Sequence, residues 1–161
     1  MAYTEKVQRF IDDPLCGFTD EELQARVSTE LAQSALAHEP EGFLIEKFCQ
    51  DYGYSEADAR SLFEDVKKFL LLGSIVDASP APSYWIDQMW HAFILFTKDY
   101  ADFCNKAGGF IHHRPLPQTS EAQPPLDPTL ALMTAAYGPL SEQHWPAPMG
   151  AFGIMDCKAG V

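Results

Sequence analysis

The side chains best suited to chemistry are gathered between Tyr84 and Pro115, in YWIDQMWHAFILFTKDYADFCNKAGGFIHHRP. Asp87 and His91 are four residues apart, a spacing that puts both on one face of a helix and within reach of each other. A carboxylate beside an imidazole fixes the ring tautomer and raises its basicity, as the partners of metal-ligating histidines do. Past the Gly108-Gly109 stop, His112 and His113 offer one or two further imidazoles. Three histidines with a carboxylate are a donor set for zinc, iron or copper. The pattern carries no HExxH and no paired-cysteine zinc spacing, so it names no metalloenzyme class. The bland alternative is that Asp87 and His91 share a helix-surface hydrogen bond while His112 or His113 caps a helix C-terminus.

Chain geometry limits how these groups can meet. A helix running unbroken from Tyr84 to Ala107 would be about 36 Å long, and His91 would lie about 24 Å from its end. Five residues from Ala107 to His112 reach only about 17 Å. A shared site for His91 and His112 then requires the helix to stop early, near Cys104, or requires a second subunit. Cys104 with His112 and His113, or these two with His144, are the local alternatives. As a nucleophile Cys104 is poorly placed, in an apolar segment near a helix C-terminus, where thiolate is disfavoured. No phosphate-cradling Gly-rich loop and no GxSxG elbow are present.

The elements that must position this stretch are helical. Tyr3, Val7, Phe10 and Ile11 make one side of a short helix ended by Pro14. Thr19 with Glu22 forms a capping box, and Phe18 with Leu23 a hydrophobic staple. Leu23, Val27, Leu31 and Ala35 then define one stripe of a helix ending near His38 and Pro40. His38 reads as a helix-end cation or a packed residue. A third helix over about 41–52 turns Phe43, Leu44, Phe48 and Tyr52 inward and stops at Gly53. Ser55 caps a fourth, which carries Ala59, Leu62, Phe63, Val66 and Leu70 and ends at Gly73. Five prolines between Arg114 and Pro128 predict an extended wrap. Thr129 to Tyr137 is a short helix, and Trp145 predicts that part of the tail docks on the body.

These elements predict an all-α, compact bundle of about five to six helices around a long central helix. It is a single domain over 1–161, with N-terminal helices over 1–73, the central helix over 84–107, the Pro-rich segment over 114–128 and a short helix and tail over 129–161. The net charge of −12, from 11 Lys+Arg against 23 Asp+Glu, disfavours nucleic acid and leaves a protein partner open. The opening MAYTEKVQRF has no apolar signal core, and the apolar run Phe69 to Val76 is too short to span a bilayer. Four scattered cysteines without a CxxC fit free thiols in a reducing cytoplasm.

Asp87-Gln88-Met89-Trp90-His91, Tyr100, Phe103-Cys104, Gly109-Phe110-Ile111-His112-His113 and Pro115, followed by Tyr137-Gly138 and Trp145, resemble the shared block of the glycine-rich domain-containing proteins. The likeness covers about Tyr84 to Trp145. It implies that Asp87, Trp90, His91, His112 and His113 occupy motif positions, and it implies no reaction. The chain departs from the family at its end, where a Cys/Gly-rich tail is replaced by one cysteine, Cys157, and little glycine. Two functions remain in view. One is a metal-binding domain using His91, His112 and His113 with Asp87, beside Trp90 and Cys104. The other is a non-enzymatic interaction module in which Trp85, Trp90, Trp145 and the Pro-rich segment form a partner surface or a wrapped core.

Overall fold

In a computed structural model, which describes residues 3–115, 124–146 and 153–157, the body of the chain is helical. The helices are α1 (Tyr3–Asp12), α2 (Asp20–Val27), α3 (Glu30–Leu36), α4 (Gly42–Tyr52), α5 (Glu56–Val76), α6 (Tyr84–Leu95), α7 (Thr97–Ala107) and α8 (Asp127–Tyr137). Two short strands, β1 (Ile111–Pro115) and β2 (Gly153–Cys157), pair antiparallel. There are thus eight helices among the described residues where five to six were expected, and a strand pair that was not.

The long helix at the centre is α5. Its 21 residues give a rod of about 32 Å. Ser55 caps its N-terminus by accepting from the Asp58 amide. Gly73 does not end it. The helix runs on to Val76, and Asp77 closes it in a left-handed conformation at φ 51°. A buried run from Phe69 to Gly73 surrounds the whole circumference, as expected of a helix packed on all sides. Helices α3, α4, α6, α7 and α8 all lie against it.

Two expected helices are broken in two. The stripe through Leu23, Val27, Leu31 and Ala35 is interrupted at Ser28, and Thr29 restarts the chain as the cap of α3. Leu31 is therefore left 77% exposed and does not join the stripe. Phe43 and Tyr52, expected inward, are also exposed. The helix over 84–107 is broken at Phe96, whose φ −90° and ψ 72° are not helical. No proline or glycine marks this corner. The favourable feature is Asp99 in the first turn of α7, where a carboxylate suits the helix N-terminus.

The core contains Trp90, Phe93, Tyr100, Phe103, Phe48, Phe63 and Phe69, all essentially buried. The tail docks as Trp145 predicts. The Trp145 ring packs on Phe69 at 6.0 Å, and His144 Nδ1 meets Asp65 Oδ2 at 2.5 Å. Trp90 and Trp145 are buried in the core, whereas Trp85 is half-buried in a cluster with Tyr52, Tyr54 and Tyr84. Of the expected Pro-rich wrap, residues 116–123 lie outside the described residues. Arg114 and Pro115 finish β1, and Asp127 and Pro128 begin α8.

Candidate metal centre

The break at Phe96 lets His91 and His113 meet. Helix α7 turns away from the line of α6, the Gly108-Gly109 stop reverses the chain again, and β1 returns alongside α6. Gly108 takes φ 109° and its amide closes onto the carbonyls of Asn105 and Cys104, a conformation that only glycine adopts without strain. The helix thus stops even earlier than the expected point near Cys104, and no second subunit is needed to join the two histidines.

Strand alternation selects which histidine enters. In β1, Ile111 is buried and His113 lies on the same side, while His112 falls on the opposite face. The His112 ring packs at 4.8 Å on the half-exposed Phe110. The candidate set therefore reduces to Asp87, His91 and His113, whose donor atoms all lie within 4.8 Å of one another. His112 is outside it, and so are Cys104, in the core, and His144, on Asp65.

The triangle is tight. His113 Nε2 lies 2.8 Å from Asp87 Oδ1 and 2.9 Å from His91 Nε2. His91 Nε2 lies 3.5 Å from Asp87 Oδ1. A tetrahedral ion with bonds of about 2.0–2.1 Å sets its donors about 3.3 Å apart, so these edges bracket that spacing. With a single proton on the two Nε2 atoms, the triangle cannot satisfy every edge, which suits it to hold a cation. If His113 Nε2–H donates to the carboxylate, the same proton must also serve the lone pair of His91. If His91 is the donor, two lone pairs face each other elsewhere in the triangle. The second carboxylate oxygen, Asp87 Oδ2, is buried and has no hydrogen-bond partner among the described residues. A buried carboxylate oxygen without a donor is costly, and a bound cation removes the cost.

Asp87 is 1% exposed, whereas the His91 side chain is 45% exposed, so the centre has a dry floor and an open rim. Burial lowers the pKa of His91; Asp87 raises it in part, and His113 adds to the lowering. Its ring is therefore held in the neutral form that ligates metals. Beyond His91, a groove of about 150 Å³ runs between α4 and α6 past Tyr52, Gln88 and Leu95. Tyr52 donates to Gln88 Oε1 at 2.7 Å on its wall.

The support beneath the centre is a hydrogen-bonded chain. The Trp90 ring stands edge-on to His113, with centroids 4.5 Å apart. Trp90 Nε1 donates to the Tyr100 hydroxyl at 3.1 Å, and that hydroxyl donates to the Ile111 carbonyl. Tyr100 thus ties α7 to both the indole and the strand that carries His113. Burial raises the pKa of the Cys104 thiol beside it, which keeps it an unreactive core residue.

Besides the Asp65–His144 pair, sequence spacing alone missed another aspartate–histidine assembly. His38 Nε2 meets Asp99 Oδ1 at 2.8 Å, Lys106 Nζ meets His38 Nδ1 at 3.0 Å, and the Glu41 amide donates to Asp99 Oδ2. The signal in the sequence is the acidic first turn of α7, which marks a helix start only once the chain breaks at Phe96.

The described residues contain no helix long and apolar enough to cross a membrane. The Asp87–His91–His113 cluster has the capacity to hold a transition-metal ion. A family model described as UCP032817-like matches residues 33–125, more than half of the chain and all three of these residues. No curated protein and no solved structure matches the chain.

Proposed function

The chain belongs to the UCP032817-like family, and from that premise we propose that it binds one transition-metal ion through Asp87, His91 and His113. The observation that carries the reading is the convergence of three ligand-type atoms, with Asp87 Oδ2 buried behind them and without a partner among the described residues. Two imidazoles and one carboxylate suit zinc or iron(II), with copper behind them. Three protein ligands and an exposed His91 leave at least one position for water or a small ligand, the form that catalytic sites take and closed structural sites do not. No reaction is assigned.

The likeness to the glycine-rich domain-containing proteins enters as part of this proposal. Of its five motif residues, Asp87, His91 and His113 form the cluster, and Trp90 packs against it. A cytoplasmic setting belongs to it as well, supported by the free thiols of Cys16, Cys49 and Cys104. A second reading is favoured by the 2.8 Å contact of His113 with Asp87, which alone would staple β1 to α6 without any ion. A protein partner remains compatible with both.

Elemental analysis of protein purified without a His-tag separates the two. The metal reading expects close to one equivalent in the parent, loss in His91→Ala and His113→Ala, and retention in His112→Ala. Less than about a tenth of an equivalent in the parent, unchanged by these substitutions, leaves the staple alone.

A further inference from the structure

Two of the three proposed ligands stand on a fixed element. Helix α6 is capped by Ser83, which also donates to the His144 carbonyl at 2.6 Å, and it buries Ile86, Met89, Trp90 and Phe93. The third ligand, His113, stands on a five-residue strand. The strand partner of β1 among the described residues is β2, and the register sets His113 opposite Met155. A two-stranded ribbon is marginal by itself in water. Here β2 also lies against α5, so the docking of the ribbon on that helix is the part of the centre most open to adjustment. Ile111 is anchored through Tyr100, but His113 to Pro115 lie beyond that anchor and pair with Met155 to Gly153.

We infer that occupancy of the metal centre and docking of the C-terminal strand are coupled, so that the ion orders β2 and β2 in turn raises affinity for the ion. This rests on the metal reading above and concerns the regulation of that same site. An ion bound to His113 holds β1 against α6 and so presents a fixed edge to β2. Pairing with β2 holds β1 extended, which keeps His113, and not His112, on the inner face. Linkage makes the two effects equal in size. The chain can thereby report metal status at its C-terminal end, where a change in strand docking would be read.

The test uses the full chain and zinc chloride, with EDTA-stripped protein as the reference. Amide hydrogen exchange is followed in Gly153–Cys157, and zinc affinity is measured by competition with a chromogenic chelator. Zinc is expected to slow exchange in β2 by about tenfold or more in the parent and not in His91→Ala, which removes a ligand that lies outside both strands. The paired substitution Ile154→Pro with Met155→Pro removes two successive amides, one of which faces β1, and is expected to weaken zinc binding by about the same factor. The exchange measurement on the parent decides the matter even where the proline variant folds poorly. Zinc binding by the parent with unchanged exchange in β2, and equal affinity in the proline variant, overturns the coupling while leaving the metal reading in place. Failure of the parent to bind zinc overturns both.

Discussion

Of the three aspartate–histidine assemblies among the described residues, at Asp65, Asp99 and Asp87, the last two look alike in composition and differ in the hydrogen-bond donors around them. In one, His38 joins Asp99 and Lys106; in the other, His91 and His113 join Asp87. Lysine can only donate, so His38 Nδ1 accepts from Lys106 and its Nε2–H donates to Asp99. The other oxygen of Asp99 takes the Glu41 amide. The ring is 94% buried from solvent, being 6% exposed, between Phe93 and Phe103. Every polar atom named there has a complementary partner. Around Asp87, three donor atoms of metal-ligand type face one another, and a buried oxygen has no partner among the described residues. The first assembly is a closed structural tie. The second has the capacity to hold a cation. Sequence spacing alone does not separate them; the dedicated donors Lys106 and the Glu41 amide, present only in the first, do.

The sharpest way to break this comparison is to remove each aspartate in turn. Asp87→Ala is expected to lower zinc affinity by more than about 100-fold, beyond the 10–100-fold typical of groups that only orient a ligand. Asp99→Ala should leave zinc affinity unchanged and cost about 1–3 kcal/mol of stability, since it strands His38 Nε2–H and the Glu41 amide. Chelator competition and urea unfolding on both variants read the crossed pattern; equal effects on both quantities would erase the distinction. Next in size, Tyr100→Phe strands the Trp90 indole and the Ile111 carbonyl together. It should cost about 1–3 kcal/mol and weaken zinc about tenfold, with an altered visible spectrum in the cobalt-substituted protein. A purely structural role would leave that spectrum in place. Asp87→Asn separates stability from binding in the opposite sense. An amide supplies the hydrogens that the triangle lacks, so the metal-free midpoint should not fall below the parent's, while the rise produced by zinc disappears.

Much of this was legible in the chain. The Thr19 and Glu22 box, the Ser55 cap and the Gly53 and Gly108 stops are local chemistry, and each stands where its residues place it. Asp87 and His91 share a face because helical spacing requires it. What was not legible depends on contacts made elsewhere. The corner at Phe96 carries no glycine or proline; its ring packs on Phe43 of α4, and Asp99 two residues into α7 pairs with His38, 61 residues away. The choice of His113 over His112 follows from the strand phase of β1, and neighbouring histidines give no hint of that phase before β2 is in place. Likewise Leu31 fits the apolar period but falls outward because Thr29 restarts the helix.

The smallest expected effect is the pH dependence of the metal-free protein. Burial lowers the pKa of His91 from its ordinary value of 6.5, against a partial opposing pull from Asp87. Between the lowered folded value and 6.5 the unfolded chain holds more protons than the folded one, so stability rises with pH across that window. The contribution is complete above 6.5, declines as pH falls, and is gone once pH passes below the folded value. Because His91 is about half exposed, solvent screens much of the effect. Urea midpoints of the parent and His91→Gln, measured in EDTA between about pH 5 and 8, isolate it as the difference between the two curves. That difference should widen toward neutral pH in favour of the parent. A difference that widens toward acid instead would mean that His91 prefers its charged form, held by Asp87. The centre would then be satisfied by its own groups, as the assembly at His38 is, with no claim on a metal.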